Sequence, residues 1–132
     1  MKISTKGRYA LVIMLDLAKS YKEEKFVSLN TISENENISL KYLEKIVTSL
    51  KKADFFVTTT GSNGGYKLKR SPEEYTIGEI IRASEENLDV VACIASEDAC
   101  PKKGECQTYP IWKELNEDIN KVLDEKRLSD YL

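Results

Sequence analysis

The sequence contains no histidine. That absence excludes a histidine general base, a Ser-His-Asp triad, a Cys-His dyad and any histidine metal ligand. Long apolar runs are also missing: no stretch approaches the roughly 18 consecutive apolar residues of a membrane span. The opening MKISTKGRYALVIMLDLAKS is not built like a secretory signal, because Asp16 and Lys19 interrupt its apolar part. The expectation is therefore a cytoplasmic chain, in a compartment where thiols stay reduced. Cysteine is limited to three residues, all between Cys93 and Cys106. An odd, clustered set makes a poor disulfide framework and points toward metal or redox chemistry.

What is present suffices for one core. The 132 residues are 41% hydrophobic and 32% charged, which suits one compact domain with an appended element and argues against wholesale disorder. The net charge of −2 conceals an asymmetry. Residues 1–70 carry 13 Lys/Arg against 7 acids, a balance of +6. Residues 71–132 carry 7 against 15, a balance of −8. A basic half joined to an acidic half is the pattern of a nucleic-acid-binding module attached to an interaction region.

Along the chain, Tyr9, Ala10, Ile13, Met14, Leu17 and Ala18 recur at helical spacing, predicting a helix over 7–20. Ser28 is placed as the N-cap of a short second helix, Asn35-Glu36-Asn37 as a tight turn, and Ser39 as a second cap. Leu40, Leu43, Ile46, Val47 and Leu50 then line a third helix to about Lys52. Two short helices joined by a three- or four-residue turn form a helix-turn-helix. Its second helix presents Ser39, Lys41, Tyr42, Glu44, Lys45, Thr48 and Ser49 outward, side chains suited to phosphates and base edges in a major groove.

Phe55 to Thr60 is β-branched and aromatic, Gly61-Ser62-Asn63-Gly64-Gly65 is turn-rich, and Tyr66 to Arg70 alternates. This is a β-hairpin, and its position after the second helix of the pair makes it a wing. Lys67, Lys69 and Arg70 are candidate phosphate contacts there. No Gly-Lys-Ser/Thr follows the glycines, which disfavours a nucleotide-binding loop. Thr76-Ile77-Gly78-Glu79 is a capping box that opens a further helix. Pro110 suits the first turn of a long last helix, with Ile111, Leu115, Ile119, Val122 and Leu123 on one face to about Leu128. Such a face needs cover, and antiparallel pairing in a homodimer supplies it while presenting two recognition helices to a pseudo-palindromic site.

Cys93, Cys100 and Cys106 are separated by six and five residues in a loop with Lys102, Lys103 and Gly104. Three thiolates on one loop suit a soft metal or an iron–sulfur cluster. The fourth ligand stays open: Tyr109, an acid, an external molecule or a residue of a second subunit. The alternative is a metal-free loop that undergoes thiol oxidation or contacts a protein. An enzyme is not expected, since no Cys, Tyr, Asp, Glu or Lys pair forms a recognisable catalytic constellation.

Three blocks in this order, Ser4 to Ala10, Ile38 to Glu44, and Gly61 to Tyr66, followed by the spaced cysteines and Trp112, resemble the Rrf-type winged-helix transcriptional regulators. The resemblance covers nearly the whole chain, and its iron–sulfur subgroup of IscR- and NsrR-like members is the nearest in pattern. It implies a mainly α fold with a small β-hairpin: a winged helix-turn-helix over 1–86, a cysteine sensing loop over 87–107, and a dimerisation helix with a tail over 108–132. It implies a homodimer on double-stranded promoter DNA, with Ser39, Lys41, Tyr42 and Glu44 on the recognition helix, beside the Lys45 read from the helix face. Thr60, Gly61, Ser62, Asn63, Gly64, Gly65 and Lys67 fall on the wing. Cys93, Cys100 and Cys106 match the ligands of a [2Fe–2S] or nitric-oxide-sensitive cluster. The sequence departs from the pattern at Tyr109, where IscR-like members carry histidine. Arg8 stands where NsrR-like members carry an acid, and Thr60 where IscR-like members carry arginine. CymR-like members lack the cysteine triad and fit least well.

Overall fold

Serine caps set the starts of the first three helices. The computed structural model describes residues 1–62, 64–95, 102 and 104–132. Ser4 Oγ accepts the Gly7 N–H at 3.2 Å and opens α1 (Thr5–Lys19). Ser28 Oγ accepts the Thr31 N–H at 3.1 Å and opens α2 (Leu29–Glu36). Ser39 Oγ accepts the Tyr42 N–H at 3.2 Å and opens α3 (Leu40–Lys51). In each case a hydroxyl satisfies one of the N–H groups that a helix leaves unpaired at its start. Between α2 and α3 the chain turns at Asn37, which adopts the left-handed conformation (φ 54°, ψ 46°) that asparagine tolerates.

The wing is an antiparallel pair, β1 (Phe56–Thr59) and β2 (Gly65–Leu68), in the register Phe56↔Leu68 to Thr59↔Gly65. The strands are shorter than predicted, and Gly65 belongs to β2 rather than to the tip. A further bridge fixes that difference: Val27 and Tyr66 exchange two backbone hydrogen bonds of 2.8 Å each. The segment entering α2 thus lies against β2, and a Cβ on Gly65 would run into the Val27 carbonyl. Beyond the wing, α4 (Ile77–Ser84) starts at the predicted capping box. The Thr76 hydroxyl accepts the Glu79 N–H, and the Glu79 carboxylate accepts the Thr76 N–H. The last helix, α5 (Tyr109–Glu125), has Pro110 in its first turn.

Ile13, Met14 and Leu17 of α1 meet Ile32, Leu43, Ile46, Leu50, Phe55, Leu68, Tyr75 and Ile80 in one fully covered cluster. The α1 stripe read from the sequence is the face that enters it. Leu128 joins the same cluster and is wholly buried. This differs from the expectation of one helix running to about Leu128. The helix stops at Glu125, Lys126 turns to an extended conformation, and Thr76 pairs with Arg127 as an isolated bridge. The Leu128 N–H then bonds to the Tyr75 carbonyl at 3.0 Å, and a single 3₁₀ turn (Leu128–Tyr131) closes the chain onto the core.

No residue of α5 is buried. Of its apolar positions, Ile111 is 54% exposed, Leu115 41% and Val122 50%, while Ile119 and Leu123 are half-buried. Arg82 of α4 holds the helix in place by reaching both Asn120 and Asp124, with contacts between 2.6 and 3.2 Å. No helix among the described residues is long and apolar enough to cross a membrane.

Candidate DNA interface and cysteine segment

α3 and the wing flank a common cleft of about 570 Å³, closed on its third side by the start of α2. The sequence-predicted residues Glu44, Thr60, Gly61, Ser62, Gly64 and Gly65 line it. Lys41, Glu44 and Lys45 are exposed on α3 beside it, and Thr48 is exposed one turn further on. Lys41 and Lys45 take part in no ion pair among the described residues, so both ammonium groups are available to an anion. Ser39 is exposed, with its hydroxyl already committed as the α3 cap. Asn63 lies outside the described residues.

Two glycines explain how the wing tip is made. Gly61 has φ 101°, a conformation side chains rarely adopt. Gly64 sits so close to the chain that a Cβ there would lie 2.7 Å from the Thr59 carbonyl oxygen. The tip is therefore a strip of backbone and small side chains, able to approach a phosphate chain closely.

Four predicted contacts are placed differently from expectation. Tyr42 is half-buried and turned toward α1, where its ring meets Tyr9 edge-on at 5.7 Å. The Lys67 ammonium lies 5.0 Å from the Phe26 ring centre, and Lys69 pairs with Asp54. Arg70 leaves the phosphate-contact set altogether. Its guanidinium binds Glu79 at 2.6 Å and the Glu74 carbonyl at 3.1 Å, and stacks 4.2 Å from the Tyr75 ring. The partner carboxylate that removes it comes from α4, beyond the reach of local sequence pattern.

The cleft also holds residues that sequence reasoning did not select. Asn30 enters from α2, Thr58 and Thr59 from β1, and Lys51 from the end of α3. Lys51 lies 5.3 Å from the Tyr66 ring, a cation–π distance. The signal for Lys51 was available: Glu44, Thr48 and Lys51 follow each other at i, i+4, i+7, one face of a helix.

In the cysteine segment, Cys93 lies in a single 3₁₀ turn (Ala92–Ile94) rather than in an irregular loop, and that turn contacts α5. Cys106 stands just before α5, with Thr108 Oγ1 3.2 Å from its Sγ. The Thr108 hydroxyl, followed by the backbone N–H groups of Thr108 and Tyr109, holds the Cys106 thiol below its ordinary pKa. A thiolate at the start of a helix is favoured in this way. Cys100 lies outside the described residues. Among those described, no three Cys, Asp or Glu side chains converge as a metal site. The donor chemistry suits a soft metal at three positions, with Tyr109 in the first turn of α5 beside Cys106.

The cysteine segment is tied to both ends of the molecule. The Met1 ammonium donates to the Val90 carbonyl at 3.1 Å, and the Val90 N–H donates to Asn116 Oδ1 of α5 at 3.1 Å. At the start of α1, Glu85 Oε1 accepts both the Ser4 N–H (2.8 Å) and the Ser4 hydroxyl (2.6 Å).

Residues 3–132 match the Rrf2 family, described as iron-dependent transcriptional regulators. The chain is 39% identical over 124 residues to the HTH-type transcriptional regulator IscR of Aliivibrio salmonicida, covering 94% of this chain and 73% of that protein. Among solved structures, CymR (YrzC), the global cysteine regulator of B. subtilis, superposes with a TM-score of 0.78 at 38% identity, covering 99% of this chain and 95% of that one. T. potens IscR superposes with a TM-score of 0.77 at 34% identity, covering 99% and 85%. The expectation that CymR-like members fit least well therefore does not hold for the fold. With a winged helix-turn-helix and a family match over almost its full length, the chain belongs to the Rrf2 family of transcriptional regulators.

Proposed function

We propose that the chain is a homodimeric regulator that binds pseudo-palindromic promoter DNA and senses iron–sulfur status, nitric oxide or redox state through its cysteine segment. The observation that carries the DNA reading is the cleft shared by α3 and the wing, with the unpaired ammonium groups of Lys41 and Lys45 beside it. In this reading α3 enters the major groove, Glu44 accepts from base-edge amino groups, and the lysines contact phosphates. Ser39 and Tyr42 set the start of the recognition helix. Thr60 to Gly65, Asn63 included, follow the adjacent backbone with Lys67. The division of labour follows 1–86, 87–107 and 108–132, with residues 126–131 packed back on the first unit. Ile111, Leu115 and Val122 supply the pairing face of α5, whose exposure in one chain is what a two-fold partner would cover.

Cys93, Cys100 and Cys106 would hold a [2Fe–2S] cluster, which when bound supplies a redox- and nitric-oxide-reactive centre. The chain's own residues set its effect. Cys106 precedes the first turn of α5 and Cys93 lies in a turn against that helix, so joint ligation fixes the start of α5 relative to residue 93. Anaerobic purification tests this directly. Brown protein with stoichiometric iron and sulfide, lost in Cys100→Ala, is the expected result. A colourless protein that binds DNA favours a second reading, the cluster-free regulator controlled by thiol oxidation or a protein partner. The lowered Cys106 pKa and the close likeness to CymR support that alternative.

A further inference from the structure

The cap of α1 is half a capping box. In the complete motif the N-cap side chain accepts the N–H of the third helical residue, and a Glu or Gln at that third position accepts the N-cap N–H in return. Ser4 Oγ accepts the Gly7 N–H, which is the first half. The third helical residue is Gly7 itself, with no side chain to return the bond. The first turn holds no acid, and Lys6 sets a positive charge at the positive end of the helix dipole.

Glu85, the C-cap of α4, supplies the missing half from 81 residues away. Its Oε1 accepts the Ser4 N–H at 2.8 Å and the Ser4 hydroxyl at 2.6 Å. Glycine in a helix costs stability, and here the missing side chain is what admits the carboxylate. A Cβ on the buried Gly7 would run into Glu85 Oε1.

Glu85 also stands at the mouth of the cysteine segment. One turn earlier on α4, Arg82 grips Asn120 and Asp124 of α5. Beyond Glu85, the Val90 N–H bonds to Asn116 of the same helix, and the turn that holds Cys93 contacts it. On the other side, α1 carries Tyr9, whose ring meets Tyr42 of the recognition helix edge-on at 5.7 Å. We propose that Glu85 is a positioning residue for the recognition helix. The mouth of the cysteine segment completes the cap of α1. A displacement of that segment withdraws the carboxylate, loosens the first turn of α1 and shifts Tyr42 with it. The consequence for DNA rests on the interface proposed above, whereas the cap does not.

A double-mutant cycle read by thermal melts tests the cap. Glu85→Ala should lower the melting temperature by several degrees, and Glu85→Gln, which keeps an acceptor oxygen, should restore most of the loss. Gly7→Ala should destabilise wild type by evicting the carboxylate. In the Glu85→Ala background it should stabilise, because there alanine only improves the helix. The same sign in both backgrounds overturns the proposal. Hydrogen exchange tests the transmission without DNA. Alkylating the cysteines of the metal-free protein with iodoacetamide should speed exchange of the Gly7 and Arg8 amides several-fold. The same treatment should change nothing in Glu85→Ala, where the cap is already open. Wild-type exchange that ignores alkylation, or an equal response in both proteins, overturns the proposal. In duplex binding, Glu85→Ala should weaken affinity several-fold and Glu85→Gln should recover it. A Glu85→Ala protein that binds like wild type overturns the positioning role. Wild type that binds no duplex refutes the interface alone, because the melts and the exchange still decide the cap.

Discussion

Tyr75 joins two segments that lie far apart along the chain. Its ring is fully buried, its hydroxyl donates to the Phe55 carbonyl at 2.8 Å, and the same oxygen accepts the Arg70 N–H at 3.0 Å. Tyr75→Phe keeps the ring, leaves the Arg70 N–H without its partner and leaves the Phe55 carbonyl with only the Lys69 N–H. An unsatisfied buried group costs about 1–3 kcal/mol, so a loss of about 2 kcal/mol and a fall in melting temperature of roughly 5–10 °C are expected by calorimetry. Cys106 makes a prediction of a different kind. Because Thr108 and the start of α5 favour its thiolate, metal-free reduced protein should be alkylated by iodoacetamide faster at Cys106 than at Cys93 at pH 7. Thr108→Val should remove much of that difference, and peptide mass spectrometry reads both sites. At this scale the sequence was informative wherever a residue acts on near neighbours. Ser28, Ser39 and Thr76 are all caps as read. Arg70 was not legible, because the carboxylate that claims it lies nine residues away on α4.

Among the α-helices, α5 is the one with no buried residue. It is held by the Arg82 contacts to Asn120 and Asp124 and by the Val90–Asn116 bond. In the proposed dimer, the exposed Ile111, Leu115 and Val122 supply the pairing face. Leu115→Glu combined with Val122→Glu should shift the protein from dimer to monomer in sedimentation velocity, while the α1–α4 core keeps its helical circular dichroism. A dimer that survives both substitutions would place the pairing face elsewhere. The wing offers a contrast, since it is fastened by backbone. Gly65→Ala places a methyl against the Val27 carbonyl, and it should weaken DNA binding several-fold and lower stability by about 1–2 kcal/mol. The apolar stripe of α5 and the hairpin were legible from periodicity and turn chemistry. The end of α5 was not, because Leu128 is drawn into the core by a bridge from Thr76 to Arg127. A pairing across some fifty residues leaves no trace in local spacing.

Across the whole molecule, the −2 net charge separates into a basic half that carries α3 and the wing and an acidic half that carries the cysteines and α5. Family membership follows from the match over residues 3–132, and the blocks that carried the resemblance have structural roles. Ser4 caps α1, Ser39 caps α3, and the glycines shape the wing tip. The signal sensed was less legible, because three cysteines specify donors without specifying what they bind. Both IscR and CymR share this fold at nearly equal similarity. In the proposed interface, α3 and the wing engage the phosphate backbone and base edges of duplex DNA. The measurement that tests it most directly is affinity for a duplex selected from a random library, titrated against salt, for wild type and Lys41→Ala/Lys45→Ala. Wild-type affinity should fall steeply and linearly on logarithmic axes, and the variant should bind more weakly with a shallower slope, by about 0.9 for each phosphate contact removed. An affinity that is flat in salt, or a variant with the wild-type slope, would contradict the interface.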